Sequence, residues 1–95
     1  SRSTFNQQVI SSADMVALLA ELPKLRAALK AVAEPDNREQ DKVIGTISMA
    51  EEAAEKGDQE GVMKNLKSSG KWALETSEKI GTAVLTAYIK DGLGI

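Results

Sequence analysis

Residues 66–95 read LKSSGKWALETSEKIGTAVLTAYIKDGLGI. They hold the only Trp and the only Tyr of the chain and, from Ile80 to Ile89, a run without charge. Leu66, Ser69, Trp72, Thr76, Ile80, Val84 and Tyr88 step by three and four, the spacing of one helix face, and Val62 joins the same register upstream. Met63, Ala73, Leu85 and Ile89 widen that face. The spacing therefore predicts one long helix over 58–90, with Ser68-Ser69-Gly70 as the only plausible bend or split. The closing DGLGI carries two Gly and is expected to end it. Unbroken, such a helix would span ~50 Å, against ~33 Å for a helix of about 22 residues. Some of it must then overhang, bend or be covered by another chain.

Working outward, Asp58 is a helix-capping residue that directly follows Gly57, a natural left-handed helix terminator. Upstream, Val43, Ile47, Ala50 and Ala54 form the inner stripe of a second helix, widened by Ile44. Asp36, with Glu39 three residues on, is its expected cap. Gly45 inside it costs roughly 1 kcal/mol against Ala, explained by a close helix approach or by plain tolerance. Glu34-Pro35 ends the first helix, over about 12–33. There Met15, Leu18, Leu22, Leu25, Leu29 and Val32 form the stripe, and Val16, Leu19 and Ala28 are expected to widen it. Ser11 caps its start with Asp14 reaching back, and Ile10 and Met15 stand at hydrophobic-staple spacing. Pro23 either kinks this helix or splits it.

Short linkers make neighbouring helices antiparallel. The expected fold is all-α: an antiparallel bundle of three main helices, the last long and bent or split near Ser68–Gly70. Residues 1–10 are expected to be an extended arm or linker, and 11–95 a single domain. The chain starts Ser-Arg-Ser, which reads as an expression scar or proteolytic end of a longer protein.

Composition narrows the chemistry. The chain has 95 residues, no Cys, no His and a net charge of −2. Disulfides, Cys/His zinc sites and imidazole or thiol catalysis are therefore excluded. No stretch reaches the roughly 18 apolar residues of a membrane span, and no signal peptide is visible, so the expected location is cytoplasmic. Glu51, Glu52 and Glu55 share a helical neighbourhood, but carboxylate bundle sites also need His, and a solvated face is the commoner meaning. Lys64, Lys67 and Lys71 fall on one side of the third helix, diluted by Glu60 and Glu75 and without interleaved aromatics, which disfavours nucleic acid. No glycine spacing matches a phosphate loop. Ser68, Ser69, Thr76 and Ser77 have no His to activate them; a Ser68 pairing with Lys64 or Lys71 lacks an oxyanion frame. No catalytic, cofactor or metal site is expected.

Ile80–Ile89 is too short to span a bilayer, and its polar side, Thr82 and Thr86, lacks the basic face of an interfacial helix. Gly81, Ala83 and Ala87 would admit a second helix closely. The candidate interaction surface is thus Trp72, Ile80, Val84, Leu85, Tyr88 and Ile89. The 66–95 stretch, with Leu66, Gly70, Trp72, Ile80, Gly81 and the GLGI ending, resembles the C-terminal helical segments of bacterial abortive-infection proteins of the AbiTii type and related conflict-system effectors. FNQQVI followed by LLAELPKLRAAL is similar to their linker-to-helix junction. The resemblance implies a helical accessory domain for self-association or effector recruitment, and no catalytic residue. The expected function is a non-enzymatic protein–protein interaction or self-association module of a larger bacterial, anti-phage or stress-signalling protein. Its partner would be a second copy or another chain of the parent system. Membrane docking through residues 72–95 is the alternative.

Overall fold

A computed structural model describes residues 10–95. The described chain is all-α: α1 (Ser12–Val32), α2 (Arg38–Glu55), α3 (Gln59–Ile80) and α4 (Ala83–Leu93) pack antiparallel-like into a bundle of 49 × 26 × 21 Å. There are four helices rather than the expected three, because the long last helix is kinked once and then broken once. Gly70 takes φ 83° and ψ −171°, a backbone region open essentially to Gly alone, and kinks α3, so the bend expected at Ser68–Gly70 is there. Gly81, at φ 75°, then ends α3 with a left-handed cap. Its N–H bonds to the Glu78 carbonyl at 3.2 Å, that of Thr82 reaches the Ser77 carbonyl at 3.1 Å, and the chain reverses into α4. The final DGLGI does not stop the helix where expected: Asp91 to Leu93 remain helical, and Gly94 is the cap.

Helix starts follow local chemistry. The Ser11 hydroxyl accepts the Asp14 N–H at 3.1 Å, and Ile10, assigned from sequence to the arm, is fully buried. The rest of that arm, residues 1–9, lies outside the described residues. Asp58 caps α3 by accepting the Gly61 N–H at 2.9 Å. The α2 cap is Asn37 rather than Asp36. Asp36 instead takes the left-handed turn (φ 63°) after Pro35, which moves the helix start on by one residue. The Asn37 side chain accepts the Gln40 N–H at 3.0 Å, and the Gln40 side chain accepts the Glu34 N–H at 2.7 Å. Pro23 sits inside a single α1.

The core is aliphatic. Leu18, Leu22, Leu25 and Leu29 from α1, Ile47 from α2, Val62 and Leu66 from α3, and Leu85 and Ile89 from α4 are fully buried. Ala50, Ala53 and Ala54 keep the side chains of α2 short where it meets this core. Val16 and Leu19, expected to widen the core stripe of α1, stand outside it at 68% and 41% exposure. They sit about 200° and 100° around the helix from Leu18, away from the Leu18–Leu22–Leu25–Leu29 seam. An Arg26–Glu51 ion pair ties α1 to α2, with a second contact of 3.3 Å from the guanidinium.

Two glycines are opposites. A Cβ on Gly92 would meet the Lys67 backbone at 3.0 Å, so α4 rests directly on α3 there, whereas a Cβ on Gly45 would meet nothing within 4 Å. Gly45→Ala should therefore stabilise the domain by about 0.5–1 kcal/mol, as a better helix residue in open space. Gly92→Ala should destabilise it by about 1–3 kcal/mol through overpacking. Urea denaturation of both variants, followed by circular dichroism, measures the two opposite signs.

Candidate functional site

The six candidate residues separate into two groups. Leu85 and Ile89 are fully buried against the chain's own core and offer no surface to a partner in this conformation. Trp72, Val84 and Tyr88 pack partly against that core, and Ile80 remains 41% exposed. The cover that the sequence left open for Val84 and Tyr88 is internal in part: α4 folds back over α1 and α3, and both residues stay half-buried beside Asp14.

That docking is unusually polar for a short helix. Thr82 opens α4 without capping it through its side chain. Instead the Glu21 carboxylate, from the middle of α1, accepts the Leu85 N–H at 2.8 Å and so satisfies one of the free amides of the α4 N-terminus from across the bundle. One turn further, the Tyr88 hydroxyl donates to the Asp14 carboxylate at 2.6 Å. Asp14 therefore faces Tyr88 rather than completing the expected capping box. At the reversal itself, the Ser77 hydroxyl lies 2.6 Å from the Thr82 hydroxyl and 2.7 Å from that of Thr86, and the Thr82 hydroxyl donates to the Ser77 carbonyl at 3.0 Å. Among the described residues no buried side-chain polar atom lacks a partner.

Exposed apolar surface lies elsewhere. Val16 and Leu19 stand out from α1, in line with the exposed Ala20, Pro23 and Ala27. Farther along, Val32 (59% exposed) and Ile80 line a groove of about 300 Å³ between α1 and α3. Ala28, Trp72 and Thr76 form the rest of its wall, with Glu75 and Lys79 at its edge. Helix α1 thus carries apolar residues on its outward as well as its inward side, a composition found in helices covered on both. Sequence reasoning did name Trp72 and Ile80, but it missed Val16, Leu19 and Val32 as surface. The signal was present: apolar residues nearly all round α1, more than one seam accommodates.

The chemical candidates are dispersed or occupied. Glu51 is paired with Arg26, while Glu52 and Glu55 are exposed; no group of three metal-ligating side chains is brought together among the described residues. Lys64, Lys67 and Lys71 are exposed along α3. The Ser68 hydroxyl donates to the Lys64 carbonyl at 3.1 Å and that of Ser69 to the Leu66 carbonyl at 2.6 Å, ordinary bonds back into the helix. No helix among the described residues is long and apolar enough to cross a membrane. No family model, curated protein or solved structure matches the chain.

The Tyr88–Asp14 bond has a pH signature. The hydrogen bond to Asp14 first, then burial and the Asp14 charge, raise the Tyr88 pKa above its ordinary value. The raised folded value means this contribution is fully present below the unfolded tyrosine pKa, near 10, and is lost as pH rises through the folded value. Tyr88→Phe should cost about 0.5–1.5 kcal/mol at neutral pH. The difference from wild type should shrink in thermal melts above about pH 10, where the unfolded phenol ionises first.

Proposed function

We propose that this domain is a non-enzymatic self-association and protein-interaction module. The observation that carries this reading is exposed aliphatic surface in two separate places: Val16 and Leu19 on the outward side of α1, and Val32 and Ile80 on the α1–α3 groove farther along, with Trp72 on the groove wall. Isolated exposed aliphatics are commonplace, but a helix apolar on both sides, beside an apolar groove, is what a docking helix carries. The surface differs in part from the one read in the sequence. It keeps Trp72 and Ile80, sets aside the buried Leu85 and Ile89, and adds residues of α1.

A second copy of the chain is the partner we favour. An α1 of 21 residues is about 31 Å long. Its two exposed apolar patches, Val16–Leu19 and Val32, lie about 24 Å apart along it and on different sides, so each contact is small, which fits weak, reversible, concentration-dependent pairing. The likeness of residues 66–95 to the helical ends of AbiTii-type proteins supports placing the module in a larger bacterial phage-defence or stress-signalling protein, where it would join copies or recruit an effector.

Sedimentation velocity across micromolar to millimolar concentration tests this. The wild type should show a concentration-dependent shift toward dimer. Val16→Asp combined with Val32→Asp should weaken that dimer at least tenfold, the effect of losing one or two well-buried contacts, while the helical spectrum is unchanged. A wild type that stays monomeric throughout ends the self-association reading.

A further inference from the structure

Helix α4 is joined to α3 by two residues only, Gly81 and Thr82. Besides the Lys90–Glu78 pair and the Ser77–Thr86 contact across the turn, its docking groups lie far away in sequence. Glu21 holds the Leu85 N–H, Asp14 holds the Tyr88 hydroxyl, and the Lys67 backbone lies against Gly92. None of these contacts requires α4 to belong to the same chain as its dock. An α4 from a second copy would satisfy every one of them. The occupant of a vacated α4 site is therefore specified by the structure itself.

The apolar register also runs straight through the reversal. Thr76, Ile80, Val84 and Tyr88 are four residues apart across Gly81 and Thr82. Straightened, the segment from Lys71 to Leu93 is a continuous amphipathic helix beyond the Gly70 kink, and a helical Gly at 81 disfavours it only about fivefold relative to Ala. Straightening gives up local bonds: the left-handed turn and the contacts of Ser77 with Thr82 and Thr86. A short hinge with a continuous alternative is the arrangement from which identical elements exchange between copies.

We infer that the chain forms an exchanged dimer in which α3 and α4 straighten at Gly81–Thr82 and each α4 docks on α1 and α3 of the other copy. This rests on the self-association reading above and adds to it a second contact between the copies, distinct from the exposed aliphatics of α1. The closed monomer and the dimer share every α4 contact except those at the hinge. Concentration therefore selects between them. In the open chain Leu85 and Ile89 leave their own core and fill the same core positions in the second copy.

The test uses hinge variants and a chain otherwise free of Cys. Gly81→Ala penalises the left-handed turn and favours the straight helix, so it should raise the dimer association constant at least tenfold in sedimentation velocity. Inserting two glycines between Gly81 and Thr82 loosens the turn and should abolish the dimer. Crossing of α4 is read directly by mixing Asp14→Cys with Tyr88→Cys chains and adding a short bis-maleimide crosslinker. The two side chains meet where α4 docks on α1, the Tyr88 hydroxyl lying 2.6 Å from the Asp14 carboxylate. The expected result is a covalent heterodimer in excess over both homodimers, increasing with concentration. Dimers indifferent to both hinge changes overturn the exchange and leave association through α1 standing. Chains that stay monomeric in every variant overturn both.

Discussion

The architecture turns on one reversal, between Ser77 and Thr86. Up to Ile80 the chain is a helix with an apolar stripe that wants to continue. At Gly81 the backbone takes a left-handed conformation, and the buried Ser77 and Thr82 hydroxyls join that of the half-buried Thr86 in a compact knot. The turn sends α4 back across the bundle, where Leu85 and Ile89 complete the core. Full burial of each is worth about 1.5–3 kcal/mol. Without the reversal α1 and α3 would lack a cover on that side, and the carboxylates of Asp14 and Glu21 would have no partner from α4.

Polar contacts decide where α4 sits, while apolar burial decides that it sits at all. Leucine and isoleucine are tolerant of small shifts. The hydrogen bonds from Leu85 to Glu21 and from Tyr88 to Asp14 are not, because they fix the helix both along its axis and around it. Gly92 sets the third constraint by letting the α4 backbone approach Lys67. The Glu21 contact is also an answer to Thr82, which starts α4 but makes no side-chain cap. A helix of 11 residues is marginal by itself, and here its free N-terminus is completed by another helix. Local folding and tertiary docking of α4 are therefore a single event.

Much of the fold was legible because its signals are local. Ser11, Gly57 and Asp58 act within one turn of where they stand, and the leucine seam of α1 is read directly as a period. The bend at Gly70 was visible for the same reason. The reversal at Gly81–Thr82 was not. The spacing of Thr76, Ile80, Val84 and Tyr88 is identical whether the helix runs on or folds back, so periodicity carries no information on the choice. The dock that receives α4, Asp14, Glu21 and Lys67, is long-range, and one-dimensional spacing cannot bring those residues together. The surface was half legible. Trp72 and Ile80 were named, but so were Leu85 and Ile89, because 58–90 was read as one long helix and spacing could not say which surface covers its second half. Val16 and Leu19 were placed inside because a broad stripe was taken for a single seam.

That same degeneracy of register has a physical meaning. A sequence that satisfied only the folded-back hairpin would be expected to break its stripe at the turn with charge or proline. This one keeps an uncharged, helix-compatible run from Ile80 to Ile89 and places one glycine where the chain must turn. The closed form is selected by contacts that any copy of the chain can provide, and the straight form by helical continuity that the chain always has. The free-energy gap between them is set by a few hinge bonds rather than by the core, because the core is rebuilt in either case. Gly81 is thus the residue at which the sequence leaves its topology open, and the hydroxyls of Ser77, Thr82 and Thr86 are what closes it within one chain.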